Sequence, residues 1–383
     1  MNNSLMNSYA QLTIAITKGE GSYLFDSEGK KYIDFTSGIG VNSLGYNHDK
    51  WTTAITNQIH NLQHCSNIFL NPITIDLSNK LTQIANMSKV FFANSGAEAN
   101  EGAIKLARKY SFEKYGEGRN KILTLKQSFH GRTMTTLKAT GQEKFHKYFF
   151  PFPEGFDYIE ANNVDDLKNN LSNDVCAIMM EAIQGEGGVH PIDKDFVKEV
   201  ESICKDNDIL LIFDEIQCGI CRTGKLFGYN HFDVEADIVT LAKGLGAGLP
   251  IGAVLCNEKL SSVFKPGDHG STFGGNPVSC AGGLVVLDTL CNDKSYKEIT
   301  KKGELIKKLL NDSNLSNIEE VRGNGLMLGI QIKGNSADVQ QSALENGLLV
   351  LTAGPNVIRL LPPLVIGDKE IEEGINILIK ILS

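Results

Sequence analysis

The sequence contains no uninterrupted run of about eighteen or more apolar residues, so none of its segments is predicted to span a membrane. Its first residues, MNNSLMNSYAQ, are polar and lack the apolar stretch of a secretory signal. Basic residues form no block, and the net charge of −8 argues against non-specific binding to nucleic acids or membranes. We therefore expect a cytoplasmic protein whose partners are neither nucleic acids nor membranes.

Metal-binding cysteine patterns are also missing from the sequence. Most of its eight cysteines lie in apolar stretches, as Cys176 does, which is typical of small buried side chains in a reduced protein. Cys218 and Cys221 have CxxC spacing, but neither a second such pair nor histidines at ligand spacing accompany them. We predict no metal site, and a redox role for this pair is the weaker hypothesis.

The hydrophobic pattern predicts a sheet covered by helices. Residues 23–35 alternate around a turn and predict a hairpin. Further along the chain, short apolar runs without alternation are separated by longer stretches with helical spacing. The runs cover residues 90–92, 122–125, 177–180, 209–213 and 238–241, and the helical stretches include 97–110, 167–171 and 196–204. Strands that are apolar on both faces are typical of a mostly parallel sheet between helices.

The domain organisation predicted from this pattern has two parts. We expect a large domain over residues 51–270 and a smaller domain over residues 271–383, in which 321–332 and 348–361 form strands. Residues 1–50 are predicted to belong to the smaller domain. Ligands of such sheets bind beyond the carboxyl ends of the strands, so the residues after each apolar run are the candidate site.

Two of these strand ends carry an acid and a lysine. Asp214 follows five apolar residues, and a carboxylate there needs a partner such as a metal, a helix N-terminus or a protonated pyridine nitrogen. A Walker B role is disfavoured because no GxxxxGK[ST] motif precedes it. Lys243 ends the next run, where a lowered pKa would suit Schiff-base formation, although a solvated lysine at a strand end is the simpler reading for this residue alone.

Other strand ends carry groups that could bind the rest of a flat, anionic ligand. Ser95, Gly96 and Ala97 open a predicted helix and could hold a phosphate at its N-terminus. Phe129 could stack on a ring, although a lone phenylalanine is more often part of a core. The remaining candidates are Thr272 in a glycine-rich loop, Glu186 in another, and Arg132 and Arg359, whose guanidinium groups could bind carboxylates.

Taken together, these motifs resemble those of the class III aminotransferases, which are fold-type I pyridoxal-phosphate enzymes, over nearly the whole chain. The matching stretches, in chain order, are FANSGAEANE at 92–101, FHGR at 129–132, QGEGGV at 184–189, FDEIQ at 213–217, RTG at 222–224, LAKGL at 241–245, GSTFGGNP at 270–277 and VRGNGL at 321–326. The resemblance implies an α/β fold: a large domain with a mostly parallel seven-stranded sheet flanked by helices, and a smaller α+β domain.

The resemblance also implies a role for each candidate residue. Lys243 would carry pyridoxal 5'-phosphate as a Schiff base and act as the catalytic base. The cofactor would be held by Asp214 at the pyridine nitrogen, Gln217 near the ring hydroxyl, Phe129 on the ring face, Ser95, Gly96 and Ala97 at the phosphate, and Thr272 from the other subunit of a homodimer. The substrate would be bound by Arg132, Glu186, Ser271 and Arg359.

Within the class, the stretches GIGVNSLG at 38–45 and LTAGPNVIRLLPP at 351–363 are most similar to those of acetylornithine aminotransferases. The resemblance implies acetylornithine and 2-oxoglutarate or glutamate as substrates, in arginine biosynthesis. Arg132 would bind the distal carboxylate and Arg359 the α-carboxylate of glutamate. Glu186 would neutralise Arg359 when the other substrate is bound. Alignment by eye puts Ile39 and Leu70 where ornithine aminotransferases have tyrosines, which favours an N-acetylated donor.

Several alternatives remain open from the sequence. Ornithine, succinylornithine or 4-aminobutyrate could be the amine donor, or the protein could be an aminomutase such as glutamate-1-semialdehyde mutase. A non-catalytic binding protein is disfavoured because Lys243 and Asp214 are both present. The sequence departs from the usual pattern at Ala182, where a proline is common, and at Cys218 and Cys221, where the loop usually has small residues.

Overall fold

The computed structural model describes residues 4–383. Its strands are β1 (Ile16–Glu20), β2 (Tyr23–Asp26), β3 (Lys31–Asp34), β4 (Lys89–Ala93), β5 (Lys121–Leu125), β6 (Phe156–Ile159), β7 (Val175–Met180), β8 (Ile183–Gln184), β9 (His190–Pro191), β10 (Leu210–Asp214), β11 (Ile238–Leu241), β12 (Gly252–Cys256), β13 (Ile318–Asn324), β14 (Met327–Ile332), β15 (Leu348–Leu349), β16 (Leu351–Thr352) and β17 (Val357–Leu360).

Its helices are α1 (Ser37–Gly40), α2 (Asp49–Asn61), α3 (Pro72–Ala85), α4 (Gly96–Tyr115), α5 (Met134–Ala139), α6 (Val164–Asn170), α7 (Lys194–Asn207), α8 (Pro277–Leu290), α9 (Asp293–Asp312), α10 (Ser336–Glu345) and α11 (Asp368–Leu382). Short 3₁₀ turns cover Glu143–Phe145, Gly228–His231, Lys243–Leu245 and Glu258–Leu260. Among residues 4–383, no helix has the length and apolar character needed to cross a lipid bilayer.

A seven-stranded sheet forms the centre of the large part of the molecule, in the order β4-β12-β11-β10-β7-β5-β6. The strands from β11 to β6 are all parallel, and only β12 runs antiparallel, against both β11 and β4. The predicted mostly parallel seven-stranded sheet is therefore confirmed. The apolar runs that we selected cover five of these strands. Strand β6 was missed because its sequence, FDYI, is short and mixed, whereas β12 was missed although it lies in a further apolar run, IGAVLC.

The apolar runs are buried because both faces of the sheet are covered. Every residue of β7, β10, β11 and β12 is buried. Helix α4 packs across β10, β11 and β12, and α7 packs on β10. Removing such strands from water supplies roughly 25 cal/mol per Å² of apolar surface, which is the main favourable contribution to this layered arrangement.

Two smaller sheets join the ends of the chain. The predicted hairpin at residues 23–35 is present as β2 and β3, and β3 pairs in parallel with β15 near the C-terminus. The other sheet has the order β13-β14-β17-β16. Residues 321–332 thus contain parts of two strands, because the chain reverses at Gly325, which has a φ of 53°. The division into 1–50, 51–270 and 271–383 stays a prediction, and α8 packs on α2 and α3 although it follows residue 270.

The side chain of Arg222 connects the large sheet to the two smaller ones. Its Nη1 donates to the carbonyl oxygens of Leu326, at 3.1 Å, and Pro362, at 2.5 Å. Its Nη2 donates to Oγ of Ser37 at 3.4 Å. Burial lowers the pKa of the guanidinium to about 9. The segment after β10 is therefore fixed to both ends of the chain, which limits how far the loop carrying the candidate site can shift.

Candidate active site

A cavity of about 600 Å³ lies beyond the carboxyl ends of the parallel strands. Most of the residues that we selected from the sequence line it, namely Ser95, Gly96, Ala97, Phe129, Arg132, Glu186, Asp214, Gln217 and Lys243. Arg359 is not part of the lining but contacts Glu186, which is. Ser271 and Thr272 do not line the cavity but lie in a shallow depression next to Asn67, and Ser271 Oγ accepts at 3.1 Å from Nδ2 of Asn94, which does line the cavity. The sheet therefore brings residues from five distant segments to one cavity.

Asp214 is the last residue of β10 and has a buried carboxylate. Its Oδ2 accepts hydrogen bonds from Asn100 Nδ2 and pairs with His130 Nδ1, each at 2.8 Å. Its Oδ1 accepts from the backbone N–H of Ile216 at 3.1 Å. Asn100 also donates to the carbonyl oxygen of His130 at 2.7 Å, which fixes the three side chains relative to each other. A carboxylate held in this way at a cavity wall can accept a hydrogen bond from a protonated ring nitrogen.

Lys243 follows β11 by two residues and begins a short turn. Its backbone φ of 40° lies in the left-handed region, which is unusual for a residue with a side chain and costs roughly 1 kcal/mol. Burial lowers the pKa of the Lys243 ammonium, and the nearby carboxylate of Glu186 opposes that shift only in part. A larger fraction of the amine is therefore neutral than for an exposed lysine, as nucleophilic attack on a carbonyl carbon requires.

The N-terminus of α4 faces the same cavity. Ser95 Oγ accepts from the backbone N–H of Glu98 at 3.2 Å and thereby caps the helix. The backbone N–H groups of Gly96 and Ala97 precede the first intrahelical bond and carry the positive end of the helix dipole. A Cβ at Gly96 would lie 2.8 Å from Ile216 Cδ1, so only glycine allows the helix start to approach this wall. This cradle fits a phosphate group.

Glu181 is a buried acid that the sequence did not single out. It directly follows β7, whereas Asp214 is the last residue of the neighbouring strand β10. Its Oε2 accepts from the backbone N–H of Phe129 at 3.0 Å, and its Oε1 accepts from that of Gly185 at 3.4 Å. Burial, and then the charge of Asp214, raise its pKa well above the usual value. Glu181 thus connects the segment that carries Phe129 to the segment that carries Glu186.

Arg359 lies on β17 and forms an ion pair with Glu186. Its Nη1 donates to Glu186 Oε1 at 2.6 Å, and its Nη2 to Oε2 at 3.2 Å. Nη1 also contacts the carbonyl oxygen of Gly185 and the Oε1 of Gln217, each at 3.1 Å. Although burial opposes the shift, the Arg359 charge lowers the pKa of Glu186. The guanidinium is thus neutralised by a carboxylate that itself lines the cavity.

The positions of four residues add to, or differ from, what the sequence suggested. Gln217 donates to Glu186 Oε1 at 3.4 Å, so it belongs to the Arg359 cluster in addition to lying on the cavity wall. Ile39 and Leu70, which were expected near the donor, do not line the cavity of the described chain and are 44% and 89% exposed. Tyr9, which we did not select, does line it.

Most of the site residues that we did not select from the sequence were missed for the same reason. His130, Asn100 and Glu181 act through contacts with Asp214 or Phe129 that join segments far apart in the chain. His130 and Asn100 do lie inside the FHGR and FANSGAEANE stretches, which was the only signal available. Tyr9 lies before the first strand, where no periodic pattern draws notice to it.

The cysteines of the CxxC motif do not face each other. Cys218 Sγ contacts the carbonyl oxygen of Ile183, whereas Cys221 Sγ lies 3.5 Å from the Sγ of Cys291. Burial raises the pKa of both Cys218 and Cys221 well above the usual value, which disfavours reactive thiolates. Within residues 4–383, no three histidine, cysteine, aspartate or glutamate residues are grouped in a way that could hold a metal ion.

The arrangement fits a flat ring bearing a phosphate, a basic ring nitrogen and an aldehyde. Asp214 would face the ring nitrogen, the start of α4 the phosphate, and Lys243 the aldehyde. Phe129 is half-buried at the wall, where a ring could stack on it. Pyridoxal phosphate has these groups.

Comparison with known protein families and relatives agrees with this chemistry. The sequence model of the family described as aminotransferase class-III matches residues 5–382. The acetylornithine aminotransferase of Caldanaerobacter subterraneus is 49% identical, over 99% of this chain and 97% of that protein. The acetylornithine aminotransferase of Haemophilus ducreyi is 47% identical, over 100% of this chain and 97% of its own length.

Solved structures with the same fold include enzymes named for different amine donors. The ornithine aminotransferase of Toxoplasma gondii superposes with a TM-score of 0.95 at 33% identity, covering 99% of this chain and 92% of its own. The N-acetylornithine aminotransferase of Stenotrophomonas maltophilia superposes with a TM-score of 0.86 at 35% identity, covering 97% of this chain and 96% of its own. Similarity of fold therefore does not choose the donor.

The cradle at the start of α4 gives a testable prediction. In Gly96→Ala, the new methyl group must displace Ile216 or the helix start, so we expect the affinity for pyridoxal phosphate to fall at least about tenfold, or ~1.4 kcal/mol. The measurement is an absorbance titration of cofactor-free protein. Gly367→Ala is the matched control, because Gly367 precedes α11 and its Cβ would meet only the flexible end of Glu370. Unchanged affinity in Gly96→Ala would contradict the cradle.

Proposed function

The chain belongs to the class-III aminotransferase family, and on that premise we propose that it transfers the δ-amino group of N²-acetyl-L-ornithine to 2-oxoglutarate. It is a pyridoxal-phosphate-dependent aminotransferase. The proposed products are N-acetyl-L-glutamate 5-semialdehyde and L-glutamate, within arginine biosynthesis. Support for the donor comes first from relatives named acetylornithine aminotransferase that are 42–49% identical over nearly their full lengths.

The observation that carries the proposal is the difference between the two arginines at the site. Arg359 is paired with Glu186, whereas within residues 4–383 the guanidinium of Arg132 forms neither a hydrogen bond nor an ion pair. Both proposed substrates have a carboxylate far from the reacting carbon, and only glutamate or 2-oxoglutarate also has one beside it. Arg132 would bind the shared carboxylate. Arg359 would bind the other one after Glu186 moves away.

The same difference favours an acetylated donor over ornithine. The α-nitrogen of the donor lies next to the carboxylate that Arg132 would bind. In ornithine this nitrogen is an ammonium, which would lie close to the Arg132 guanidinium. Burying such a charge is costly, whereas the neutral amide of acetylornithine avoids both the repulsion and the desolvation of a charge.

The residues at the cavity would divide the chemistry among them. Pyridoxal phosphate supplies an electron sink that stabilises negative charge at the substrate carbon bearing the nitrogen. Asp214, held by His130 and Asn100, would keep a proton on the ring nitrogen. Phe129 and Gln217 contribute to cofactor binding, together with Ser95, Gly96 and Ala97 at the phosphate. Lys243 Nζ removes the proton from the substrate carbon, for which its lowered pKa is suited.

A homodimer and a cytoplasmic location complete the proposal. Ile68, Phe69 and Leu70 are 87%, 68% and 89% exposed, and Phe273 is 59% exposed. We call these four residues the 68–70/273 patch. It adjoins Thr272, since Asn67 donates to the carbonyl oxygens on either side of that residue, those of Ser271 and Gly274, at 3.1 and 2.9 Å. An apolar patch of this kind suits a second copy, and Thr272 would reach the cavity of the partner subunit.

The donor assignment predicts a rate difference in the first half-reaction. At equal concentrations, acetylornithine should convert the bound cofactor from its aldehyde to its amine form at least about tenfold faster than ornithine or 4-aminobutyrate. Stopped-flow absorbance follows this conversion without the second substrate. A faster conversion by ornithine would show that the donor is wrong while leaving the aminotransferase assignment intact.

The dimer predicts a link between subunit contact and cofactor binding. We expect the cofactor-loaded enzyme to sediment as a dimer. Leu70→Asp, which buries a charge in the contact, should shift it toward monomer and weaken cofactor retention because Thr272 would be withdrawn. Phe112→Asp is the control, since Phe112 is 58% exposed on α4, away from the patch. A fully active wild-type monomer would contradict the proposal.

A further inference from the structure

Arg132 is held at the cavity by aromatic rings. Its Cζ lies 4.0 Å from the centroid of the Phe145 ring and 5.5 Å from that of Phe129. Two other arginines also lie over rings, Arg108 over Phe156 at 4.9 Å and Arg119 over Tyr115 at 4.1 Å. These two differ from Arg132 in that they also donate hydrogen bonds to backbone carbonyl oxygens.

The additional contacts of Arg108 and Arg119 occupy their donors. Arg108 donates to the carbonyl oxygens of Asn120 and Glu154, and Arg119 to those of Val175 and Asn207. Arg132, in the part of the chain that the structure describes, has no such acceptor. Its orientation therefore depends on the rings alone.

A ring face is suited to hold a guanidinium that must stay available. The face attracts the cation through its negative quadrupole, whereas the N–H donors of the guanidinium point outward in its own plane. A carboxylate partner would instead occupy those donors and neutralise the charge, as Glu186 does for Arg359. A stacked arginine needs no displacement before it binds an anion.

Phe145 is well placed for this task. It ends the short turn Glu143–Phe145 and is half-buried. Its ring meets that of Phe129 edge to face, with centroids 6.0 Å apart and planes at 79°. Phe129 in turn lines the cavity and is fixed by its N–H bond to Glu181. Phe145 is thus supported by a fixed wall residue while contacting the Arg132 guanidinium.

We propose that Phe145 is a positioning residue that holds the guanidinium of Arg132 unpaired and oriented for the carboxylate shared by both substrates. This inference rests on the proposed function. The two arginines would then have different tasks. Arg132 would be available to a carboxylate in both half-reactions, whereas Arg359 is neutralised by Glu186 and would become available in only one half-reaction.

The test compares Phe145→Leu with Phe145→Tyr. Leucine retains an apolar side chain without a ring, so the KM for acetylornithine and for 2-oxoglutarate should each rise about tenfold, or ~1.4 kcal/mol. The kcat should stay within about twofold, since Arg132 does not contact the reacting carbon. Tyrosine keeps the ring face and should restore both KM values.

Two controls separate positioning from general damage. An amine without a carboxylate, n-butylamine, should react with the bound cofactor at the same rate in Phe145→Leu and wild type, because it makes no use of Arg132. Phe152→Leu changes a half-buried phenylalanine that contacts His146 and Phe150 but not Arg132, and it should leave both KM values unchanged.

A double variant tests whether Phe145 acts through Arg132. In an Arg132→Gln background, Phe145→Leu should add no further increase in KM.

Several results would overturn the inference. They are an equal loss with n-butylamine, a fall in kcat at constant KM, a failure of Phe145→Tyr to restore KM, or additive effects in the double variant. If Phe145→Leu does not fold, Phe145→Met, which also lacks a ring, takes its place in each of these comparisons. The inference can be tested even if acetylornithine is not the donor, since 2-oxoglutarate and glutamate report on Arg132 by themselves.

Discussion

The buried carboxylate of Asp214, at the end of the central strand β10, is the constraint on which the rest of the site depends. A charge in that position would be strongly destabilising without partners. His130 and Asn100 satisfy Oδ2, and the backbone of Ile216 contacts Oδ1. These partners come from α4 and from the segment after β5, so the requirement to satisfy one carboxylate also fixes the helix start and the Phe129 wall.

A second acid extends the same arrangement. Glu181 directly follows the neighbouring strand β7 and accepts hydrogen bonds from the backbone N–H groups of Phe129 and Gly185. The segment that begins at Gly185 carries Glu186, whose carboxylate neutralises Arg359. The Asp214 side and the Arg359 side of the cavity are therefore linked through hydrogen bonds to buried carboxyl groups. Arg132 stands apart from this network, because aromatic rings hold it without an acid.

The sequence was informative about features that depend on residues close together in the chain. Runs buried on both faces identified the strands, and the residues after them identified Asp214, Lys243 and the start of α4. It was less informative where a residue acts through a distant contact. Nothing in the order of residues reveals that Asn100 faces Asp214, or that Cys221 lies beside Cys291 instead of Cys218. Strand β6 was missed because its pairing with β5, and not its composition, makes it a strand.

The exchange of carboxylates at Arg359 distinguishes the two half-reactions, and the variant Glu186→Gln shows whether it occurs. Without its acid, Arg359 stays open, so the half-reaction rate with glutamate divided by that with acetylornithine should rise about tenfold, or ~1.4 kcal/mol. Glu320→Gln is the matched control, since Glu320 pairs with Arg322 at 2.6 Å outside the cavity, and it should leave the ratio unchanged. A wild-type ratio in Glu186→Gln would contradict the account.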